Sequence, residues 1–284
     1  MNLAQLLNGI SLGALLMIVS SGLAMIYGLR GVMNFSHGAL YMVGAYVAFA
    51  VTTKVSFWFA LIGAPLVLGV VGAILELAVF RRVEKRSPIE VALIAFGIAL
   101  LIERGVVAIW GSNTKPVPAP AALSGTWTFL GTSYPSYRLV VIGIAFVVAI
   151  ALVVWLWRSR TGLHIRAASH DGGTASVMGV NVDMMSLIVV CLGAALAGLA
   201  GTLAAPFVSA DPSMDTAILI NALIVVVVGG LGSIAGAMIT GLALGILQVL
   251  GNVYVPSVAP LVPYALLIAI ILWRPQGLAG TRTQ

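Results

Sequence analysis

Residues 3–27 read LAQLLNGISLGALLMIVSSGLAMIY, a stretch without one charged side chain. As a helix rising about 1.5 Å per residue it is long enough to cross a hydrocarbon core roughly 30 Å thick. No Lys or Arg precedes Arg30, so the positive start of a cleavable signal is missing, and the stretch is too long for a signal's apolar segment. It is expected to be the first membrane-spanning helix. Eight further apolar runs follow, at 32–51, 57–80, 89–110, 139–157, 186–207, 217–228, 234–250 and 258–273. They are continuous rather than alternating, which excludes a lipid-embedded barrel. The expected fold class is all-α: a polytopic transmembrane helical bundle with 8–9 membrane segments, some interrupted or re-entrant, forming one domain over residues 1–284. The run 217–228 carries the uncertainty in the count. It reaches only about 18 Å, so it must recruit its flanks or enter as a half-helix.

Composition agrees. Of 284 residues, 61% are hydrophobic and 8% charged, with a mean hydropathy of +1.14. Soluble domains carry about 25% charged residues, so this surface must face a lipid bilayer. The net charge of +6 sits in short loops between apolar runs, where basic residues act as topology signals rather than as a nucleic-acid footprint. The single cysteine, Cys191, excludes an intrachain disulfide and a cysteine-cluster metal site.

The basic residues divide into two sets. Arg30, Arg81, Arg82, Lys85, Arg86, Arg158, Arg160, Arg166, Arg274 and Arg282 fall in one set of loops; Lys54, Lys115 and Arg138 fall on the other side, and Arg104 lies within a run. The positive-inside rule makes the first set cytoplasmic. Nine crossings then put the N-terminus outside and the C-terminus in the cytoplasm, in a multi-pass protein of the cytoplasmic (inner) membrane. An outer stretch, 111–137, contains Pro116, Pro118, Pro120 and Pro135 and is expected to be stiff and extended. An inner stretch, 158–185, is polar and glycine-containing.

Catalytic patterns are missing. None of His37, His164 and His170 begins an HExxH zinc helix, no GxSxG elbow occurs, and none of the three lysines follows a glycine as a P-loop requires. No catalytic residue, metal site or cofactor is expected in this chain, and it has no Walker route to ATP hydrolysis. Three charges lie inside apolar runs. Glu76 is expected to snorkel towards Arg81, whereas the neighbours Glu103 and Arg104 point in different directions and need not pair.

Two polar, glycine-rich breaks interrupt the apolar pattern: Gly31-Val-Met-Asn-Phe-Ser-His-Gly38 and Gly229-Gly-Leu-Gly-Ser233. Paired breaks in the two halves of a transporter point to its binding region. On that reading Asn34, Ser36, His37, Gly38, Gly229, Gly230, Gly232 and Ser233 line a translocation pathway. The alternative is a surface turn whose glycines permit close helix packing. In the inner stretch, Ala175, Met178 and Gly179 fall on one side of a short helix, a small-residue face suited to docking in another protein's groove.

At these residues the chain resembles the branched-chain amino-acid ABC importer permeases, a family that also includes urea and amide permeases. The resemblance runs over essentially the whole length. It rests on Asn8-Gly-Ile-Ser-Leu-Gly13 with Tyr27-Gly28, Asn34-Phe-Ser-His-Gly38, Arg166-Ala167 with Ala175 and Gly179-Val-Asn181, Ala197-Gly-Leu-Ala-Gly201, Gly229-Gly-Leu-Gly-Ser-Ile-Ala-Gly236 and Arg274-Pro-Gln-Gly-Leu278. It implies a permease subunit of an ATP-driven importer of branched-chain or related small amino acids. The implied partners are a second homologous permease, two cytoplasmic ATP-binding-cassette ATPases that use the ATP, and a periplasmic or extracellular solute-binding protein. It also implies that 158–185 is the ATPase coupling loop, with Arg166, Ala167, Ala175, Met178 and Gly179 in it. The wider Glu-Ala-Ala-x-x-x-Gly pattern is altered there: Gly173 and Thr174 stand in its first two places, while Ala175 and Gly179 match. The competing reading is a secondary transporter or channel for small polar solutes that acts alone.

Overall fold

A computed structural model describes residues 2–84, 86–129 and 132–280. Lys85 and Arg282, both assigned above to the cytoplasmic set, lie outside the described residues.

The helices are α1 (Leu3–Arg30), α2 (His37–Thr52), α3 (Phe57–Leu75), continued through a wide π turn (Glu76–Phe80) into α4 (Arg81–Val83), α5 (Pro88–Trp110), α6 (Ser136–Arg158), α7 (Arg160–His170), α8 (Gly172–Val177), α9 (Val182–Val208), α10 (Met214–Gly229), α11 (Ile234–Tyr254) and α12 (Val262–Trp273). Six are long and apolar enough to cross a membrane, and three shorter apolar helices accompany them: α2, α10 and the segment Ala259–Trp273. This is the membrane bundle expected. The short run 217–228 does recruit its flanks: α10 takes in Met214–Thr216 and Gly229.

Segment 3–27 is the axis of the molecule. Every residue of α1 from Gly13 to Ile26 is buried, as expected of a helix that is apolar all round. Antiparallel α11 packs along it most extensively, and α9, α6 and α10 complete the ring. Glycines set these distances. A Cβ on Gly13 would stand 2.8 Å from Leu242 Cα, and one on Gly9 would stand 2.8 Å from Ile246 Cα. In the same way α9 is clasped by α2 and α3, with Gly44 against Gly198 and Gly72 against Ala194. Such small-residue contacts let backbones approach where lipid removes the hydrophobic drive for helix association.

The outer ring carries the lipid-facing surface. On α3, Phe59, Ile62, Leu66, Val70 and Ile74 are exposed at three- and four-residue spacing, and Ile89, Leu93, Phe96 and Leu100 repeat the pattern on α5. These stripes would aggregate in water and are at home among acyl chains.

Packing gathers the described members of the two charge sets at opposite ends. Gly28 of α1 meets Gly232, and Arg166 lies in the same group as Gly28, Leu156 and Ile234. Arg81 donates to the Asp183 carbonyl at 3.2 Å, and Leu278, just beyond Arg274, donates its N–H to the Val228 carbonyl. At the other end, Tyr134 and Arg138 both donate to Asn8, and Lys115 pairs with Ala210.

The stretch 111–137 is more ordered than a stiff loop. Strands β1 (Thr126–Phe129) and β2 (Thr132–Pro135) pair antiparallel, Thr126 opposite Pro135, and α6 begins at Ser136. A proline at the edge of a short ladder is tolerated, and the pairing gives the extended stretch its order. Asp211 ties this end together, accepting from Thr114 Oγ1 at 2.6 Å and from the Ser213 N–H and hydroxyl. Those bonds hold its carboxyl below the usual range, so the latch persists above the ordinary carboxylate pKa and is lost only as pH falls through the lowered one.

Exposed Ser124 and exposed Ser87 and Ser169 stand at opposite ends. In a Cys191→Ala background, Ser124→Cys should react with an impermeant thiol reagent in intact cells. Ser87→Cys and Ser169→Cys should react only after permeabilisation. The reverse pattern would invert the topology.

Candidate functional site

The first break enters the membrane. His37, the first residue of α2, is fully buried, and its ring Nε2 lies 2.9 Å from the Val19 carbonyl. Val19 precedes Arg30 by eleven residues of helix, so α2 starts about 16 Å inside the basic end. Segment 31–36 therefore dips into the bundle as non-helical backbone, which is tolerated where protein satisfies its polar groups. Asn34 supplies that service: its Oδ1 accepts from the Ser36 N–H at 3.1 Å and the Ser36 hydroxyl at 2.6 Å. Gly38 has no room for a side chain, because a Cβ there would overlap the Asp215 carbonyl and meet Leu219 Cβ at 2.8 Å. Two half-length helices, α2 and α10, thus abut at their N-termini deep in the bundle. Of the four residues named in this break, Asn34 lines a cavity of about 100 Å³ on the basic side, together with Arg30, Phe80 and Ser186.

The second break is elsewhere. Gly229 packs on Gly236, Gly230 (φ 103°) on Gly280, and Gly232 (φ 81°) against Gly28. Ser233 caps α11 by accepting from the Gly236 N–H at 3.1 Å. These four residues form a tight turn at the basic end, joining α10 to α11. The two breaks are not brought together.

Glu76 differs from the sequence expectation. Rather than snorkelling to Arg81, it is 1% exposed and pairs with Arg30 at 2.7 Å. Its other oxygen accepts from Ser186 Oγ at 2.9 Å. The π turn Glu76–Phe80 buries both Glu76 and Phe80 and sets the Phe80 ring 5.8 Å from the Arg30 guanidinium. Arg30 is held between a carboxylate and a ring face, and α1, α3 and α9 are locked at one point. Glu103 and Arg104, by contrast, touch only loosely, at 3.8 Å.

The inner loop is a small helical subdomain. Gly162 packs on Leu156 at the turn from α6, Ser159 caps α7 by accepting from the Gly162 N–H at 2.9 Å, and the Arg166 guanidinium covers the Trp157 ring at 4.3 Å; Ala167 is exposed. Asp171 caps α8 through the Thr174 N–H and hydroxyl. The single docking face inferred for Ala175, Met178 and Gly179 is corrected. Helix α8 ends at Val177, and Gly179, at φ 89°, terminates it. The Val180 N–H reaches back to the Ala175 carbonyl and the Gly179 N–H to the Ser176 carbonyl, a left-handed stop that favours glycine. Ala175 turns inward and is buried, while Val177 and Met178 are 87% and 80% exposed. Spacing alone missed Val177, because the helix ends one residue before Met178.

Four uncharged polar side chains in or beside apolar runs also escaped the sequence reading. Asn221 of α10 accepts from Gln248 Nε2 of α11 at 2.9 Å. With Asn252 and Tyr264 they line a groove of about 360 Å³ between α10, α11 and the start of α12. Asp215, just ahead of the run 217–228, was likewise missed. It is buried beside the start of α2, where its carboxylate accepts from its neighbour Thr216.

Among the described residues, six long and three shorter apolar helices, two of the shorter ones meeting inside the bundle, with a helical loop at the basic end, define a polytopic membrane helical bundle. The family model described as "Branched-chain amino acid transport system / permease component" matches residues 5–271, and the chain belongs to that family. It is 30% identical to the high-affinity branched-chain amino acid transport system permease protein LivH of Escherichia coli K12, over 98% of this chain and 95% of that one. It is 28% identical to LivM, another permease protein of that name and organism, over 92% of this chain and 67% of LivM. Among solved structures it is similar to PsaBC from Streptococcus pneumoniae in complex with Fab, at a TM-score of 0.48 and 13% identity, covering 94% of this chain and 89% of that one.

Proposed function

We propose that this chain is a membrane-spanning subunit of an ATP-driven importer in the cytoplasmic membrane, passing branched-chain or related small amino acids inward. It would work with a second, related permease, two cytoplasmic ATPases and an extracytoplasmic solute-binding protein, its own C-terminus being cytoplasmic. The observation that carries the reading is the apolar knob Val177–Met178, exposed on a capped helix that stands on packed α7. Adjacent exposed valine and methionine outside the apolar runs are suited to burial against another protein, and a short helical knob can seat in a partner's groove. Loop 158–185 is then the coupling element. Arg166 positions it, Ala175 anchors it, Gly179 ends its helix, and the knob makes the contact.

Met178→Asp and Val177→Asp test this in the complete transporter. Both positions are exposed, so insertion and folding should change by no more than about 0.5 kcal/mol. ATP-dependent uptake of leucine should fall at least tenfold, and the ATPase should no longer co-purify with the permease. Normal transport by both variants would remove the knob from the coupling path.

A stand-alone, proton-coupled carrier has one observation in its favour, the buried Asp215 carboxylate deep between α2 and α10. Reconstituted alone, such a carrier would accumulate leucine on a proton gradient without ATP and lose uptake on Asp215→Asn. The importer predicts no uptake by the isolated chain under any gradient.

A further inference from the structure

We propose that the groove bearing Asn221, Gln248 and Asn252 is a solute-contacting wall of the outer half of the translocation pathway, built for a zwitterionic or neutral polar solute. The inference rests on the permease reading and assigns it a site distinct from both glycine-rich breaks.

Depth follows from packing. Gly13 lies against Leu242 and Gly9 against Ile246, so Gln248 and Asn252 stand beside the first part of α1, far from Gly28 and Arg30. They lie in the half away from the basic end, Gln248 near the level of Asn8 and Asn252 about one turn beyond it. The groove is open to the side of the bundle, and Asn252 and Tyr264 are exposed. Asn221 is nearly satisfied, since its Nδ2 donates to the Ala217 carbonyl at 3.1 Å and its Oδ1 accepts from Gln248. The Gln248 Oε1, the Asn252 carboxamide and the Tyr264 hydroxyl have no hydrogen-bond partner among the described residues. Polar groups left bare to acyl chains cost several kcal/mol each, and polar side chains in membrane helices face a bundle interior or a water-filled cavity. On α3 the exposed stripe is wholly aliphatic or aromatic, whereas the stripe on α5 runs on to Arg104, whose side chain is 75% exposed.

The chemistry selects the ligand class. A carboxamide offers two N–H donors and a carbonyl acceptor, so neighbouring carboxamides serve a carboxylate and an ammonium equally. No Asp, Glu, Lys or Arg lines the groove. A fixed charge would hold one end of a zwitterion too firmly, whereas conduction needs contacts weak enough to release. Pro260 and Pro263 at the mouth lack N–H groups and keep the start of α12 fixed in shape.

Two measurements in membranes carrying the complete transporter decide the matter. With radiolabelled leucine as probe, Gln248→Leu should lower the maximal uptake rate at least tenfold, while leucine binding by the solute-binding protein and co-purification of the partners stay unchanged. In a Cys191→Ala background, Asn252→Cys should react with a water-soluble thiol reagent at least tenfold faster than Leu66→Cys or Leu93→Cys on the lipid-facing stripes, and excess leucine should slow it. Wild-type uptake by Gln248→Leu, or an Asn252→Cys as inert as the lipid-facing controls, overturns the site. If Gln248→Leu does not assemble, the labelling rates alone decide. Failure of the wild-type complex to take up leucine at all, with Asn252→Cys still reactive and unprotected, would strike the proposed substrate class rather than the aqueous groove.

Discussion

Glu76→Ala should cost about 3–5 kcal/mol of stability, the usual penalty for removing one member of a buried ion pair. The carboxylate is 1% exposed, and its partner Arg30 only 12%. Without it the guanidinium keeps its charge, because arginine does not deprotonate in proteins, and it is left with the Phe80 face alone. Ser186 loses its acceptor at the same stroke. The expected result is a large fall in the amount of folded permease extracted from membranes and an early thermal transition in what remains. The double variant Arg30→Leu with Glu76→Leu separates charge from packing. Replacing a whole buried pair by apolar groups is often neutral, so the double variant should recover most of the loss. Wild-type stability in Glu76→Ala would mean that water reaches the pair, and the lock between α1, α3 and α9 would have to be abandoned.

Gly245→Leu should be more damaging still. Any Cβ at Gly245 overlaps the Gly13 backbone, which is fixed in the middle of a helix interface. Overpacking against side chains costs about 1–3 kcal/mol, and a backbone atom cannot turn aside as a side chain can. Helix α11 must then separate from α1 along its main contact, and the axis of the bundle is lost. Essentially no monodisperse protein should be recovered after detergent extraction. Gly97→Leu on α5 is the matched control, because nothing lies within 4 Å of a Cβ there; it adds the same bulk towards lipid and should leave yield and thermal transition unchanged. Equal recovery of the two variants would show that the α1–α11 contact is looser than its glycines imply.

Segment 3–27, the eight runs after it and the placement of arginine were enough to determine a helical membrane bundle and the grouping of its loops. Hydrocarbon imposes continuous apolar helices, and that constraint is written residue by residue. The family was equally legible, because its short glycine motifs recur in order along the chain. What needed the tertiary structure was every pairing between distant segments. Glu76 has Arg81 five residues away, and the sequence favours that neighbour; folding instead brings Arg30 from a different helix, because the π turn rotates the carboxylate inward. Both glycine-rich breaks look alike on paper, yet one is re-entrant backbone beside Val19 and the other a turn beside Gly28. The difference lies in which helix each glycine touches, and a residue without a side chain carries no record of its neighbour. Asn221 and Gln248 are single polar residues within apolar runs, and nothing in their spacing links them. Only the packing of α10 on α11 brings their carboxamides to 2.9 Å on one wall, since hydrogen bonding is decided by distance in space, not along the chain.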